Sequence, residues 1–291
     1  MDLRQVEYVL AVVDHGTFTA AAESIPISQP ALSQAIRSLE RELGIELFHR
    51  IGRTVVLSEA GHAFVPPARQ LLADRERTIE AVAVVVGLEG GMLDIVSIPT
   101  LAVTPLVGLI GRFRGAHPAV AIRVREHEGT SGDALALVRD GTCEVGLVEL
   151  PHGAAPVGLV AHALATQEYL AVCPPGTPLR RKRSITVADL AELPLAATPE
   201  GTSSRRVLEE AFAAASLTLP DIAVESWHRE LLGPLVQSGA AAALLPAPMA
   251  AEAAERGAVV AALDPPMRRT IGLVHRTGVL SPAADAFISL A

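Results

Sequence analysis

Amide, hydroxyl and guanidinium groups recur on one side of a single short stretch, Ser28-Gln29-Pro30-Ala31-Leu32-Ser33-Gln34-Ala35-Ile36-Arg37-Ser38-Leu39-Glu40. Leu32, Ile36, Leu39 and Leu43 follow the helical period and predict one buried face. Pro30, Ser33, Gln34 and Arg37 point the other way, with Gln29 beside them at the N-terminus. Gln and Arg form paired hydrogen bonds to base edges in the DNA major groove, so this face suits nucleic-acid recognition. Ser28 stands where it can cap the first turn, Pro30 falls where no helical N–H is needed, and Gly44 is placed as a left-handed stop.

A second set of candidate groups lies in three hydroxyl-bearing loops: Pro99-Thr100-Leu101, Gly129-Thr130-Ser131-Gly132 and Glu200-Gly201-Thr202-Ser203-Ser204. Each is expected to open a helix after a strand, where free N–H groups and short hydroxyls suit a carboxylate or another anion. Ser and Thr are also ordinary helix caps, so one such loop alone does not define a site. Trp227-His228 follows a predicted strand and is expected to border a cleft, with His228 and His127 as candidate ligand contacts. Arg205 and Arg206 are expected on a solvated helix face.

The first set needs a small helical head to hold it. Leu3, Val6, Leu10 and Val13 predict a first helix ending at Asp14-His15-Gly16. Thr17 caps a shorter helix that ends at Ile25-Pro26 and contains Thr19. Two helices joined by a tight turn make a helix-turn-helix with the second as reader. Glu46–Leu57 alternates around Gly52 and predicts a two-stranded wing whose Arg50 and Arg53 reach the backbone or the minor groove. The alternative is an ordinary surface helix of an α-rich domain.

Ser58 caps a long helix running to about Val86, which Pro66-Pro67 should kink or offset. Leu72, Ile79, Val82 and Val86 form an apolar stripe for which self-pairing is the economical cover; packing on the chain's own C-terminal part is the alternative. From Met92 short apolar runs alternate with helical segments, predicting a mainly parallel α/β sheet. Leu93–Ile98, Val120–Glu126, Cys143–Val148, Glu168–Cys173, Asp221–Glu225, Ala242–Leu245 and Met267–His275 are the expected strands. Leu101–Arg114, Ser131–Arg139, Ser203–Ala215, Glu230–Ser238 and Pro282–Leu290 are the expected helices. The expected divisions are 1–58 (head), 59–90 (linker helix) and 91–291, the last split into lobe I (91–161 and 267–291) and lobe II (162–266).

Phe18-Thr19-Ala20-Ala21-Ala22-Glu23, Ile27 to Ser33, Ile36-Arg37, Leu39-Glu40, Leu43-Gly44, Leu47-Phe48-His49-Arg50, Arg53 and Leu57-Ser58-Glu59-Ala60-Gly61 together closely resemble the N-terminal domain of LysR-type transcriptional regulators, without a gap over about sixty residues. The resemblance implies an α/β protein with an N-terminal all-α winged helix-turn-helix, a linker helix that dimerises, and a two-lobed effector domain like that of periplasmic binding proteins. It implies effector contacts at Thr100, Thr130, Thr202 and Ser203. Its implied partners are double-stranded DNA with two-fold-related half-sites, a small effector, a second copy of the chain in dimers or tetramers, and RNA polymerase. No other cofactor and no metal is implied. Many members carry a basic residue where this chain has Gln34, so its base preference is expected to differ.

The composition limits this reading. The formal net charge is −8, and residues 1–60 hold five Arg against eight acids. Whole-domain charge therefore argues against DNA binding, and the reading depends on where Arg37, Arg50 and Arg53 point. Cys143 and Cys173 are too few and too separated for a disulfide framework or a paired-thiol zinc site. Met1-Asp2-Leu3-Arg4 does not resemble a signal peptide, and no apolar run approaches the ~18 residues of a membrane span; a cytoplasmic protein is expected, not an exported transport-type binding protein. An enzyme is the competing class, but nucleophile-elbow, phosphate-loop, dinucleotide and metal-protease patterns are missing.

Overall fold

The computed structural model describes residues 1–51, 54–85, 90–126, 131–150, 153–178 and 184–291. The head begins with α1 (Leu3–His15), α2 (Phe18–Ser24) and α3 (Gln29–Leu43). Asp2 and Gln5 form a capping box on α1, and Thr17 Oγ1 accepts from Ala20 N–H at 3.1 Å on α2. Gly16 and Gly44 close α1 and α3 in the left-handed region. Ser28 occupies the N-cap of α3 but makes no side-chain capping bond, which corrects the expected role. Val9, Val12, Ala21, Leu32, Ile36 and Leu39 form the core with Leu47 and Phe48. Leu43 lies past it and is exposed. β1 (Phe48–Ile51) and β2 (Thr54–Leu57) pair antiparallel as the wing.

Ser58 Oγ accepts from Gly61 N–H at 3.0 Å and starts α4 (Glu59–Val85). A Cβ on Gly61 would sit 2.2 Å from the Leu47 carbonyl oxygen, so only glycine lets α4 leave the wing this closely. α4 continues through Pro66 and Pro67 without interruption. Both prolines are exposed, as are His62 and Ala63 one turn earlier, so the carbonyls left unbonded face water. The first half of α4 is covered: Ala68 packs with Val6 and Leu10 of α1. Arg69 also pairs with Asp14. The second half leaves Ile79 and Val82 exposed.

The remaining chain forms a seven-stranded sheet whose strands begin, in spatial order, at Ala243, Leu159, Val259, Val145, Gly91 and Val120, with a short strand at Ser184 beside the third. Lobe I contains β3 (Gly91–Ser97), α5 (Pro99–Ala102), α6 (Leu106–Ala116), β4 (Val120–Glu126), α7 (Ser131–Arg139), β5 (Val145–Leu150) and, from the end of the chain, α12 (Pro282–Ser289). Its core joins Leu93, Ile95, Phe113, Leu147, Leu273 and Phe287. β6 (Leu159–Cys173) and β11 (Val259–Arg276) run antiparallel beside each other through both lobes. Lobe II adds β7 (Ser184–Ile185), α8 (Val187–Ala191), β8 (Leu195–Ala197), α9 (Ser203–Ala214), β9 (Ile222–Glu225), α10 (Leu232–Gln237), β10 (Ala243–Pro246) and α11 (Ala247–Glu255). Period-two alternation puts Tyr169 and Ala171 in one lobe II core and Val172 in the other, against Leu232 and Val236.

The sheet is less parallel than its sequence texture predicts. β3 pairs parallel with β4 and β5, and β8 with β9, but β11 is antiparallel to β5 and β6. The predicted helix Leu101–Arg114 is two helices, because Pro105 offers no N–H to continue α5. At Gly272 a Cβ would meet the His162 carbonyl oxygen at 2.6 Å, so glycine lets β11 approach β6 at its bulge.

Candidate nucleic-acid interface and ligand cleft

α3 divides as its period requires. Leu32, Ile36 and Leu39 are at most 1% exposed. Ser28, Gln29, Pro30, Gln34 and Arg37 are exposed on the opposite side, as is Thr19 of α2, and Ser33 is half-buried between the two faces. A groove beside this face is lined by Ser33, Arg37, Glu40, Arg41, Phe48 and His49. Arg50 lies in β1, but its side chain falls outside the described residues, as does Arg53 entirely. The acids of the head are largely engaged away from the α3 tip. Glu42 holds the N-terminal ammonium at 2.5 Å, Asp14 holds Arg69, and Glu7 lies 4.0 Å from Arg75. Asp2 caps α1, and Glu40 Oε1 accepts from Leu47 N–H at 2.8 Å. The unfavourable net charge is therefore not spread evenly over the reading face.

Between the lobes lies a cavity of about 580 Å³ lined by Pro99 and Thr100 from lobe I and by Thr198, Thr202, Ser203, Trp227 and His228, among others, from lobe II. Five predicted contacts, Pro99, Thr100, Thr202, Ser203 and His228, thus line one cavity. Leu101, expected with them, is fully buried in the lobe I core because α5 turns its side chain inward. Gly201 is exposed at a φ of 82° and does not line the cavity; it turns the chain into α9. Gly129 and Thr130 lie outside the described residues, as do His127 and the side chain of Ser131.

The two threonines of the cleft are engaged differently. Thr202 Oγ1 accepts from Arg205 N–H at 3.3 Å, contacts Thr198 Oγ1 at 2.6 Å and donates to the Pro199 carbonyl at 2.8 Å, which fills its hydrogen-bonding capacity. Thr100 Oγ1 accepts from Arg269 Nη1 at 2.8 Å. Ser203 is buried and lines the cavity.

Arg205 does not lie on a solvated face, and Arg206, although 42% of its side chain is exposed, is held by carboxylates. Arg205 is 7% exposed and reaches Glu209, Glu225 and Glu200 at 3.0, 3.4 and 3.7 Å. The first turn of α9 faces β9, which carries Glu225, and this turns Arg205 inward. Arg206 pairs with Glu210 at 3.3 Å and crosses to Glu149 of lobe I at 3.6 Å. Trp227, expected to border the cleft, lines it and is 61% exposed, whereas sequence reasoning missed Arg269, whose partner Thr100 lies 169 positions away. Trp227 carried a local signal, its place just after β9, whereas Arg269 carried none. A larger cavity of about 930 Å³ adjoins, lined by Val103, Pro234 and Met249, and shares Pro99, Thr100, Arg229 and Glu230 with the first.

A model of the LysR substrate binding domain matches residues 87–291, and one of the bacterial regulatory helix-turn-helix protein, lysR family, matches residues 3–62. The chain belongs to the LysR family of transcriptional regulators. The SDS degradation transcriptional activation protein of a Pseudomonas species is 32% identical to it, over 99% of this chain and 95% of that protein. A full-length OxyR variant from Pseudomonas aeruginosa shares the fold at a TM-score of 0.78 and 23% identity, over 100% of this chain and 94% of that one. Full-length CbnR in complex with its target DNA shares it at 0.67 and 22% identity, over 100% and 98%.

This LysR-type regulator binds DNA through its helix-turn-helix domain and a small-molecule effector through its two-lobed domain, and its family is one of regulators, not enzymes. No helix of the described residues is long and apolar enough to cross a membrane. Its two cysteines are not poised for thiol chemistry. Burial pushes the Cys143 thiol up to about 12 and the Cys173 thiol up to about 11, so neither supplies thiolate near neutral pH.

Proposed function

We propose that Gln29, Pro30, Ser33, Gln34 and Arg37, flanked by Thr19 and Ser28, read the major groove while Arg50 and Arg53 of the wing hold the backbone or the minor groove. The observation that supports this most is the division of α3, with a fully buried apolar side opposite an exposed amide and guanidinium side. The DNA-bound state of CbnR, which shares the fold, favours the same assignment. A bidentate contact to a base edge contributes about 1–3 kcal/mol of discrimination.

The second half of α4, with Ile79 and Val82 exposed, pairs with the same helix of a second copy. The resulting dimer, or a tetramer of two such dimers, places two α3 helices on half-sites related by two-fold symmetry, and RNA polymerase is a further partner. The divisions are 1–58, 59–90 and 91–291, with lobes 91–161 plus 267–291 and 162–266; the distinct lobe cores support the last split, while the start of the linker helix shares a core with the head. A small anionic metabolite between the lobes alters their angle and, through α4, the spacing of the heads. The protein acts in the cytoplasm, where its DNA is.

Fluorescence anisotropy on the intergenic DNA beside its own gene tests the DNA assignment. Arg37→Ala and Gln34→Ala should weaken binding. A base contact should relax sequence preference, and a phosphate contact should lower the salt slope by about one unit. Wild-type affinity and preference in both variants would contradict it.

A further inference from the structure

A buried guanidinium stands directly behind the cleft wall. Arg269 of β11 is 3% exposed, with its Cζ 5.1 Å from the centroid of the Tyr169 ring. Its Nε and Nη2 donate to Gln167 Oε1 at 3.1 and 2.8 Å, and its Nη1 donates to Thr100 Oγ1 at 2.8 Å. None of these acceptors is charged, and among the described residues no carboxylate comes within ion-pair distance of Arg269. The nearby acid Glu149 is engaged by Arg206 at 3.6 Å. Burial lowers the Arg269 pKa from its usual value, opposed by Tyr169 and Glu149, but a guanidinium stays protonated.

A lone buried charge is costly unless something balances it. Across the cleft, Arg205 has three carboxylates around it. Arg269 has instead a fixed hydrogen bond to a residue that lines the cavity. That bond orients Thr100: its oxygen accepts from Arg269, so its single proton must point elsewhere, and among the described residues no acceptor takes it. A hydroxyl whose proton is turned away from a buried positive charge, with that charge behind it, favours a negative oxygen in front. The adjoining cavity meets the first at Thr100 and offers an apolar wall to the rest of a ligand.

We propose that Arg269, acting through the Thr100 hydroxyl, is the positioning residue that makes the cleft select a small organic acid over its neutral counterpart, with the acid's apolar body against Val103, Pro234 and Met249. This rests on the reading of the cleft as the ligand site and adds the charge that selects the ligand there.

Trp227 is the sole tryptophan of the chain and lines the cleft, so its emission reports occupancy. The full-length protein is titrated with matched acid and amide pairs, hexanoate with hexanamide and benzoate with benzamide, and with inorganic sulfate. The wild type should bind at least one acid tenfold or more tightly than its amide, a difference of about 1.4 kcal/mol. Arg269→Gln and Thr100→Val should reduce that ratio to near one, while Arg269→Lys and Thr100→Ser should restore part of it. Binding of sulfate alone would make the site one for inorganic oxoanions and would overturn the organic-acid assignment. A wild type that binds no acid, or an Arg269→Gln variant that keeps the full ratio, would overturn the proposal. DNA binding is measured on the same samples. Lost discrimination alone bears on this proposal, and lost DNA recognition on the regulator reading.

Discussion

Arg205 and Arg269 are both buried beside the cleft, and they are balanced in opposite ways. Arg205 lies in the first turn of α9 with carboxylates at 3.0, 3.4 and 3.7 Å, and the neighbouring Thr202 spends its hydroxyl on capping that helix. Arg269 has only neutral acceptors, and the threonine it contacts faces the cavity. A neutralised charge with a saturated neighbour serves the fold. An unneutralised one with a free proton in front of it serves a ligand.

That contrast should separate affinity from stability when each arginine is removed. Arg269→Met should lower affinity for the preferred acid by more than about tenfold, the scale of a charge-assisted bond. Its thermal stability should fall less than that of Arg205→Met, because removing a lone buried charge also removes its desolvation cost. Calorimetric titration and thermal melts of both proteins check this. Arg205→Met, which leaves three carboxylates facing one another, should cost about 1–3 kcal/mol of stability in urea titration and change acid affinity less than about threefold. Thr202→Val should cost about 1 kcal/mol, the usual value of a lost N-cap, again with affinity nearly unchanged. If Thr202→Val loses ligand as Thr100→Val does, the two hydroxyls are equivalent and the contrast fails.

Asp94 offers a half-buried charge and the smallest expected effect. Its pKa is raised, mainly by burial, against the pull of Arg123 and Arg125, while Glu144 adds to the rise. A carboxyl raised in the folded state favours folding only while protonated, so stability is lost as pH rises from its ordinary range through the raised value. Asp94→Asn should therefore melt higher than the wild type at neutral pH, and the difference should vanish at acidic pH. A lower melting point at neutral pH would reverse the sign.

The head was legible in the sequence because its chemistry is local. Buried and exposed sides of α3 alternate within one period, and Gly44 and Thr17 mark ends that a few neighbouring residues decide. The cleft was legible only as loops. Thr100, Thr202 and Ser203 could be picked out as hydroxyls between strand and helix, but nothing local showed that one was saturated and another backed by a charge. That information lies in Arg269 and in Thr198, one distant in sequence and the other without a pattern. β6 and β11 were each read at about half length: the unread part of β6 is mostly exposed or half-buried, and the unread part of β11 is set off from the rest by Asp264-Pro265-Pro266. The burial of Arg205 was missed for a similar reason: its partner Glu225 belongs to β9, a strand that the helical pattern of α9 does not reveal.

The link between cleft and head is tested most directly by footprinting the DNA beside the protein's own gene, with and without the preferred acid, using wild type, Arg37→Ala and Arg269→Gln. The wild-type footprint should change length or intensity with the acid, Arg37→Ala should protect poorly in either condition, and Arg269→Gln should protect well but ignore the acid. A footprint from Arg269→Gln that responds as the wild type does would contradict the account.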